Sequence, residues 1–417
     1  MILPDMSGNN QNEMNSTKLK RALSLPWLVL YGLGVTIGAG IFALIGEIVG
    51  LAGDGAALSF LVAGLIAGAT GISYALLVSV IPKAGGEAVF INRGLGPALG
   101  RIAGIGVALT GIISSAAISL AFAGYAGTLF GIPDFFLVLS LLMLLTFIAW
   151  FGIRESVAFA GVITILEVGT LVVVIFFGAP FLDNLPPTSQ MVAMDEGFIG
   201  LVPVLSGALI AFFAFIGFED IENMAEETIN PSYTAPRAII WTLVLTVIVY
   251  VALALVAISI PQRTGLTQSP APLSFLYEQV TGWSGKPVSV IAAFAMINGI
   301  LVQIVMSSRV LYGMANEGLI WSWFGKVDTA RQTPARATFV VSAIIFLLAV
   351  ALPLITLAEI TSLIVLSVFA LVNLSLFSLG KQQGSGRLYQ WRYWGIFGAI
   401  LCLAILLFSI FSGQLAH

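Results

Sequence analysis

Histidine and cysteine are nearly missing from this chain. Its one histidine is the terminal His417 and its one cysteine is Cys402, among 417 residues. One cysteine forms no intrachain disulfide, no CxxC redox pair and no zinc site, and one terminal histidine supports neither histidine-based catalysis nor histidine metal ligation. Charge is scarce too. Charged side chains make up 9% of the chain, against about a quarter of a typical soluble domain. So few charges cannot cover a soluble surface. The net charge of −3 excludes a strongly basic nucleic-acid binder. No GxxxxGK[ST] phosphate loop occurs, so the chain carries no P-loop for ATP-driven work. The N-terminal stretch MILPDMSGNNQNEMNSTK lacks a signal-peptide core, and the first hydrophobic segment is expected to be kept as a span.

What fills the chain instead is apolar: 59% hydrophobic residues and a mean hydropathy of +1.05, the signature of a multi-pass membrane protein. Apolar runs separated by Pro, Gly and charge give eleven spans, near 25–51, 54–82, 97–130, 133–153, 155–179, 199–224, 236–260, 285–316, 335–353, 357–380 and 390–412. With the N-terminus inside, 15 of the 17 Lys and Arg residues fall on the cytoplasmic side. Lys18, Lys20, Lys83 and Arg154 are among them, and Arg263 and Lys286 are the two exceptions. A cell-membrane protein with a cytoplasmic N-terminal tail (1–24), a membrane-embedded core (25–380) and an additional helix (381–417) is expected. The core divides into repeats near 25–180 and 199–380. The longest outer connection expected is 180–198, Pro-rich and acidic, and the loops leave no room for a second domain.

Two spans are interrupted. Span one reads GLGVTIGAGIFALIG, and Gly38-Ala39-Gly40 is either a small-residue packing surface or an unwound segment at membrane depth. Unwound, its bare N–H groups at a half-helix N-terminus suit a ligand carboxylate. Span six reads LSGALIAFFAFIGFEDIENMAEE, with Gly217 followed by Glu219, Asp220 and Glu222. Either it ends near Phe218 with the acids in cytoplasm, or it breaks at Phe213–Gly217 and carries the acids in a wet cleft. Position decides. Spans one and six each open a set of five that run in opposite directions, and interrupted helices in corresponding places of an inverted repeat point to a transporter binding site. The fold class expected is therefore all-α, a five-plus-five inverted repeat of leucine-transporter type with about 11 membrane helices, discontinuous in helices 1 and 6.

At these residues the sequence resembles the amino acid–polyamine–organocation superfamily of permeases, and is most similar in motif to the proton-coupled, cationic-amino-acid-transporter-like branch. The resemblance rests on residues 34–42 (GVTIGAGIF), 82–86 (PKAGG), 212–219 (FFAFIGFE) with 226–231 (EETINP), and Arg309 to Tyr312 with Gly318. It implies amino acid transport by alternating access, no enzyme activity and no cofactor. Backbone N–H groups at Gly38, Ala39 and Gly40, flanked by Ile37 and Ile41, would hold the substrate carboxylate. Carbonyls at Phe213, Ala214 and Ile216, in the stretch that includes Phe215 and Gly217, would take its ammonium. The Phe213 ring would cover the substrate from outside.

Two departures stand out. The chain stops after eleven spans where relatives commonly have twelve or fourteen. Residues 165–169 (ILEVG) place Glu167 where the proton-coupled branch carries a lysine. Glu167 lies roughly 18 Å into span five at 1.5 Å per residue. A carboxylate there is costly unless it meets a polar cavity or takes up a proton. Its readings are a proton-coupling group, a structural glutamate, or a sodium ligand, with Ser307 and Ser308 expected beside it. Glu219 and Arg309 are a candidate inner gate, and Glu87 is placed in a cytoplasmic loop without a role. The partners expected are an amino acid, a coupling proton in preference to sodium, and the bilayer. A small or medium neutral amino acid fits the small walls Ala39, Ala214 and Ile216. A cationic amino acid or polyamine would want acids in the pocket, and Glu167 is the only midplane acid the sequence offers. A channel or a non-transporting sensor is the reading from a different class.

Overall fold

The computed structural model describes residues 21–82, 86–152, 157–191, 198–316, 318, 320–328 and 331–415. Lys18, Lys20, Lys83 and Arg154 lie outside the described residues. Nine helices among the described residues are long and apolar enough to cross a membrane, and two shorter apolar helices accompany them. The longest of these stretches, Ala39–Val80, turns at Gly53–Gly55 and so serves two crossings.

In chain order, α1 (Leu25–Ile37) and α2 (Ala39–Ala52) form the first crossing and α3 (Ala56–Val80) the second. A short α4 (Gly86–Leu95) precedes α5 (Pro97–Phe130), α6 (Asp134–Phe151) and α7 (Val157–Gly178). After a single turn, α8 (Thr188–Met191), the sixth crossing is α9 (Phe198–Phe213) with the 3₁₀-helix Phe218–Glu227. Then come α10 (Pro231–Ser259), the short α11 (Arg263–Gln268) and α12 (Pro272–Thr281), α13 (Lys286–Asn316), α14 (Ala335–Ala351), α15 (Leu354–Gln383) and α16 (Gly386–Leu415). The eleven crossings match the segments read from the sequence. Proline opens α1, α5, α10 and α12, where its missing N–H costs nothing.

One connection differs from expectation. The longer of these links is not 180–198 but 260–285, which folds into α11 and α12 and packs on α2. The spans read from the sequence already leave 261–284 longer than 180–198; what they did not show is that this link folds into two short helices.

The two breaks position the site. Helix α1 ends and α2 begins at Gly38, whose ψ of −138° takes it out of helical geometry. On the sixth crossing, α9 ends at Phe213 and the chain tightens through three i→i−3 bonds: Ala214 N–H to Ala211, Phe215 N–H to Phe212 and Ile216 N–H to Phe213. Gly217 then turns with φ 120°. Only glycine adopts that conformation readily.

The breaks lie against each other. A Cβ built on Gly40 would stand 2.7 Å from Ala214 Cα, and one on Gly217 would stand 2.8 Å from the Val35 carbonyl oxygen. Each glycine thus admits the backbone of the other crossing. Helix α16 lies outside these five-plus-five crossings and docks through buried Asn373 of α15. Asn373 accepts from Ser73 and donates to Thr70 and Phe369, and the Gly398 position faces its side chain.

Candidate functional site

A cavity of about 200 Å³ opens where the breaks cross. Gly38, Ala39 and Gly40 line it from one crossing, and Phe213 and Ile216 from the other. Glu167 and Thr164 of α7, Ser114 and Ile118 of α5, and Asn298, Val302 and Gln303 of α13 complete its walls. Of the residues singled out above, Ile37, Ile41, Ala214 and Phe215 are buried beside the cavity and support its lining.

The start of α2 has no side-chain cap. The first four N–H groups of a helix have no partner within it, so the Ala39–Phe42 end offers donors for an anion. On the opposite crossing, Phe213 C=O accepts from Ile216 at 3.3 Å and Ala214 C=O accepts from Tyr250 at 2.9 Å. A carbonyl oxygen has two lone pairs, so both keep an acceptor position.

Tyr250 of α10 joins the two breaks. Its hydroxyl is 2.9 Å from Thr36 C=O, at the end of α1, and 2.9 Å from Ala214 C=O. The ring is fully buried, edge-on to Phe215 at 5.1 Å. One proton is shared between two carbonyls, so this tyrosine links the end of α1 to the break in the sixth crossing.

Glu167 is 3% exposed, and its Oε2 has no hydrogen-bond partner. Residues 160, 164 and 167 share one face of α7 and all border the cavity, whereas Ile165 and Leu166 point outward at 60% and 45% exposure. Glu167 therefore borders the cavity, beside Thr164 of the same helix. It stands within electrostatic range of Tyr250, and the hydroxyl oxygens of Thr36, Thr242 and Thr246 are buried and unpartnered as well. Ser307 and Ser308 are elsewhere. Ser307 donates to Ala108 C=O of α5 and Ser308 to Val305 C=O of its own helix, and neither lines the cavity with Glu167. The reason is rotational: Ser307 points to α5, against Gly111, and Ser308 folds back on its own helix.

The candidate inner gate is not closed by an ion pair. Glu219 accepts the Gly217 N–H at 2.9 Å, Arg309 is exposed, and no pair joins them among the described residues. Glu219 instead lines a second cavity of about 70 Å³ with Glu87, Asp220, Thr110 and Met306. Glu87 is not in a loop: it sits in the first turn of α4, buried, with Tyr74 donating to it at 3.1 Å. Burial pushes its carboxyl above the ordinary range, and the Tyr74 hydrogen bond opposes this.

The main cavity reaches Leu23, exposed Trp27 and Met224 on the side where α1 begins. There Ile229 N–H donates to Leu23 C=O at 2.9 Å and Leu23 N–H to Glu227 C=O at 3.0 Å, tying the start of α1 to the end of the sixth crossing. At the other end Tyr125 donates to Phe42 C=O at 2.7 Å and accepts from Leu273 N–H at 3.0 Å, clamping α5, α2 and α12. Arg263 pairs with Asp54 there, and Gly46 lies against the Leu266 carbonyl.

Sequence reasoning missed Tyr250, Gln303 and Asn298. Gln303 and Asn298 had a signal, as polar amides inside an apolar crossing. Tyr250 had none, because a tyrosine in a membrane helix reads equally as an interface anchor.

Comparison with known proteins gives the family and the fold. A family model described as amino acid permease matches residues 23–417. The branched-chain amino acid permease BcaP of Bacillus subtilis is 30% identical over 391 residues, 88% of this chain and 82% of that protein. Cationic amino acid transporter 2 of Arabidopsis thaliana, a vacuolar protein, is 28% identical over 89% of this chain and 61% of its own length. Among solved structures, a variant of the manganese transporter of Eremococcus coleocola superposes with a TM-score of 0.62 at 16% identity, covering 96% of this chain and 90% of that one. That likeness concerns the fold alone.

Proposed function

Because the chain belongs to the amino acid permease family, within the amino acid–polyamine–organocation superfamily, we propose that it is a secondary active permease that takes up a small or medium neutral amino acid at the cell membrane by alternating access, driven by protons. The observation that carries this reading is the cavity at the crossing of two broken helices, with uncapped α2 amides on one side and carbonyls of residues 213–216 on the other. Those groups complement the carboxylate and ammonium that every amino acid shares. Apolar Ala39, Ile118, Ile216 and Val302 face the rest of the space.

With the N-terminus in the cytoplasm, the end of the cavity that reaches Leu23, Trp27 and Met224 is the inner one. Glu167 would take a proton from the outer side with substrate and lose it to the cytoplasm. Protonation removes the buried charge and lets α7 close on α1. Ser307 and Ser308 give no support to a sodium site beside Glu167, since Ser307 bonds to α5, Ser308 bonds back to its own helix, and neither lines the cavity. The purified protein in liposomes is the test. Uptake of alanine or leucine should accumulate under an inside-alkaline pH gradient without sodium. Uptake that follows sodium and ignores pH would make Glu167 a metal ligand instead.

A further inference from the structure

The permease reading above, on which this proposal rests, leaves the substrate side chain unassigned. Two amides in the cavity wall bear on it. Between Ala295 and Met306 of α13 the only polar side chains are Asn298 and Gln303. Both line the main cavity, together with Ala295, Gly299 and Val302 of the same helix. Asn298 lies roughly 18 Å along α13 from Lys286 at 1.5 Å per residue, which puts it near the midplane, as Glu167 is on α7. The amides therefore share the space where the two breaks cross.

A polar side chain inside a membrane helix commonly bonds to a neighbouring helix and holds the bundle together. Gln303 does so with one end only. The Ser114 and Ser115 hydroxyls of α5 both donate to its Oε1, at 3.0 Å for Ser115. An amide oxygen has two lone pairs, so both are taken. The Gln303 NH₂ has no acceptor among the described residues, and the amide, held by its oxygen, keeps that donor for the cavity. Asn298 bonds to no other described residue at either end of its amide. The wall beside it is also open, since a Cβ added to Gly299 would meet nothing within 4 Å. Helix packing accounts for the Gln303 oxygen and for nothing else in this pair.

The pair offers two NH₂ groups and one free carbonyl oxygen. An apolar side chain seated there would drive water from these groups and replace none of its hydrogen bonds, which weakens binding. A cationic side chain brings donors to a wall that already has more donors than acceptors. An anionic one would be set beside the carboxyl groups of Glu167 and Asp220, which line the same cavity. A carboxamide is neutral and brings both an acceptor and donors. It can accept from the Gln303 NH₂ while it donates to the Asn298 carbonyl.

We infer that Asn298 and Gln303 form a subsite for a side-chain carboxamide, so that the permease favours asparagine or glutamine over apolar amino acids of the same outline.

Asparagine and leucine have nearly the same outline, as do glutamine and methionine, and the members of each pair differ in the carboxamide. Isothermal titration calorimetry on the full-length wild type in detergent gives the affinity of all four, and of aspartate. At least one carboxamide should bind tenfold or more tightly than its apolar counterpart, the gain expected of two hydrogen bonds made together. Asn298→Leu and Gln303→Met keep the length of the side chain and remove the amide. In at least one of them that ratio should fall several-fold. The ratio is read within each variant, so a change in leucine affinity does not disturb it. Wild type that binds neither carboxamide better than its counterpart overturns the proposal. So does a ratio unchanged in both N298L and Q303M, which would leave the amides as bundle packing. Aspartate bound more tightly than asparagine would make the wall a site for anions and overturn it as well. The wild-type comparison needs no variant and stands even if neither variant folds. Failure of all the amino acids to bind would refute the permease reading, a distinct outcome.

Discussion

Gly40→Ala adds one methyl group at the closest approach of the two broken helices. The new Cβ would stand 2.7 Å from Ala214 Cα and 3.2 Å from Ala214 Cβ. Carbon–carbon contacts rest at about 3.5–4.0 Å, so the crossings must separate by about 1 Å. The harm therefore arises where α2 meets Ala214, and does not require the side chain to reach a bound carboxylate. Separation moves the α2 amides away from the carbonyls of residues 213–216, and a site that binds both ends of an amino acid depends on that spacing. Overpacking of this kind costs about 1–3 kcal/mol, or about fivefold to more than a hundredfold in affinity. Gly169→Ala is the control, because a Cβ there meets nothing within 4 Å. Equilibrium binding of radiolabelled leucine to purified protein measures both. The expected result is a loss of at least fivefold for G40A and none for G169A. Equal affinity in G40A and wild type would show that the crossing of the breaks does not set the geometry of the site.

Other variants report on other parts. Tyr250→Phe removes the donor shared by Thr36 and Ala214 and should cost about 0.5–1.5 kcal/mol, read as a lower melting temperature in detergent with weaker leucine binding; an unchanged melting curve would refute the joining role. Tyr125→Phe leaves the Leu273 N–H without its acceptor, so hydrogen exchange in α12 should quicken, and equal exchange would show that the outer clamp lies elsewhere. Asn373→Ala strands Ser73 and Thr70 at the α16 interface and should destabilise by about 1–3 kcal/mol while the remaining folded protein binds leucine normally. A loss of binding with stability intact would contradict its place outside the site.

The crossings were legible because apolar runs of membrane length have one solution in a bilayer. So was the break at Gly38, since glycines on both sides of Ala39 sit in a span that the inverted repeat pairs with Gly217. Side-chain rotation was not legible. Placing Glu167 at the right depth did not show that Ser307 turns to α5 and Ser308 to its own helix, because residue spacing gives a helix its faces and only packing says which neighbour each face meets. The acids after Gly217 were ambiguous for a related reason. A half-helix in cytoplasm and one folded back beneath the bundle have the same sequence, and only the contact of Gly86 with Glu222 shows that α4 covers them. Glu87 had no role in the sequence because its partners lie in other crossings: Tyr74 in α3, and Glu219 and Asp220 after the sixth break.

Glu167→Gln tests the central claim most directly. The amide keeps the shape of the protonated acid and removes the exchangeable proton. The measurement is leucine accumulation in liposomes under an inside-alkaline pH gradient, set beside leucine exchange with no gradient. The account predicts that E167Q exchanges leucine yet does not accumulate it, while wild type does both. Accumulation by E167Q equal to wild type, with the same dependence on pH, would contradict it and leave Glu167 a structural residue.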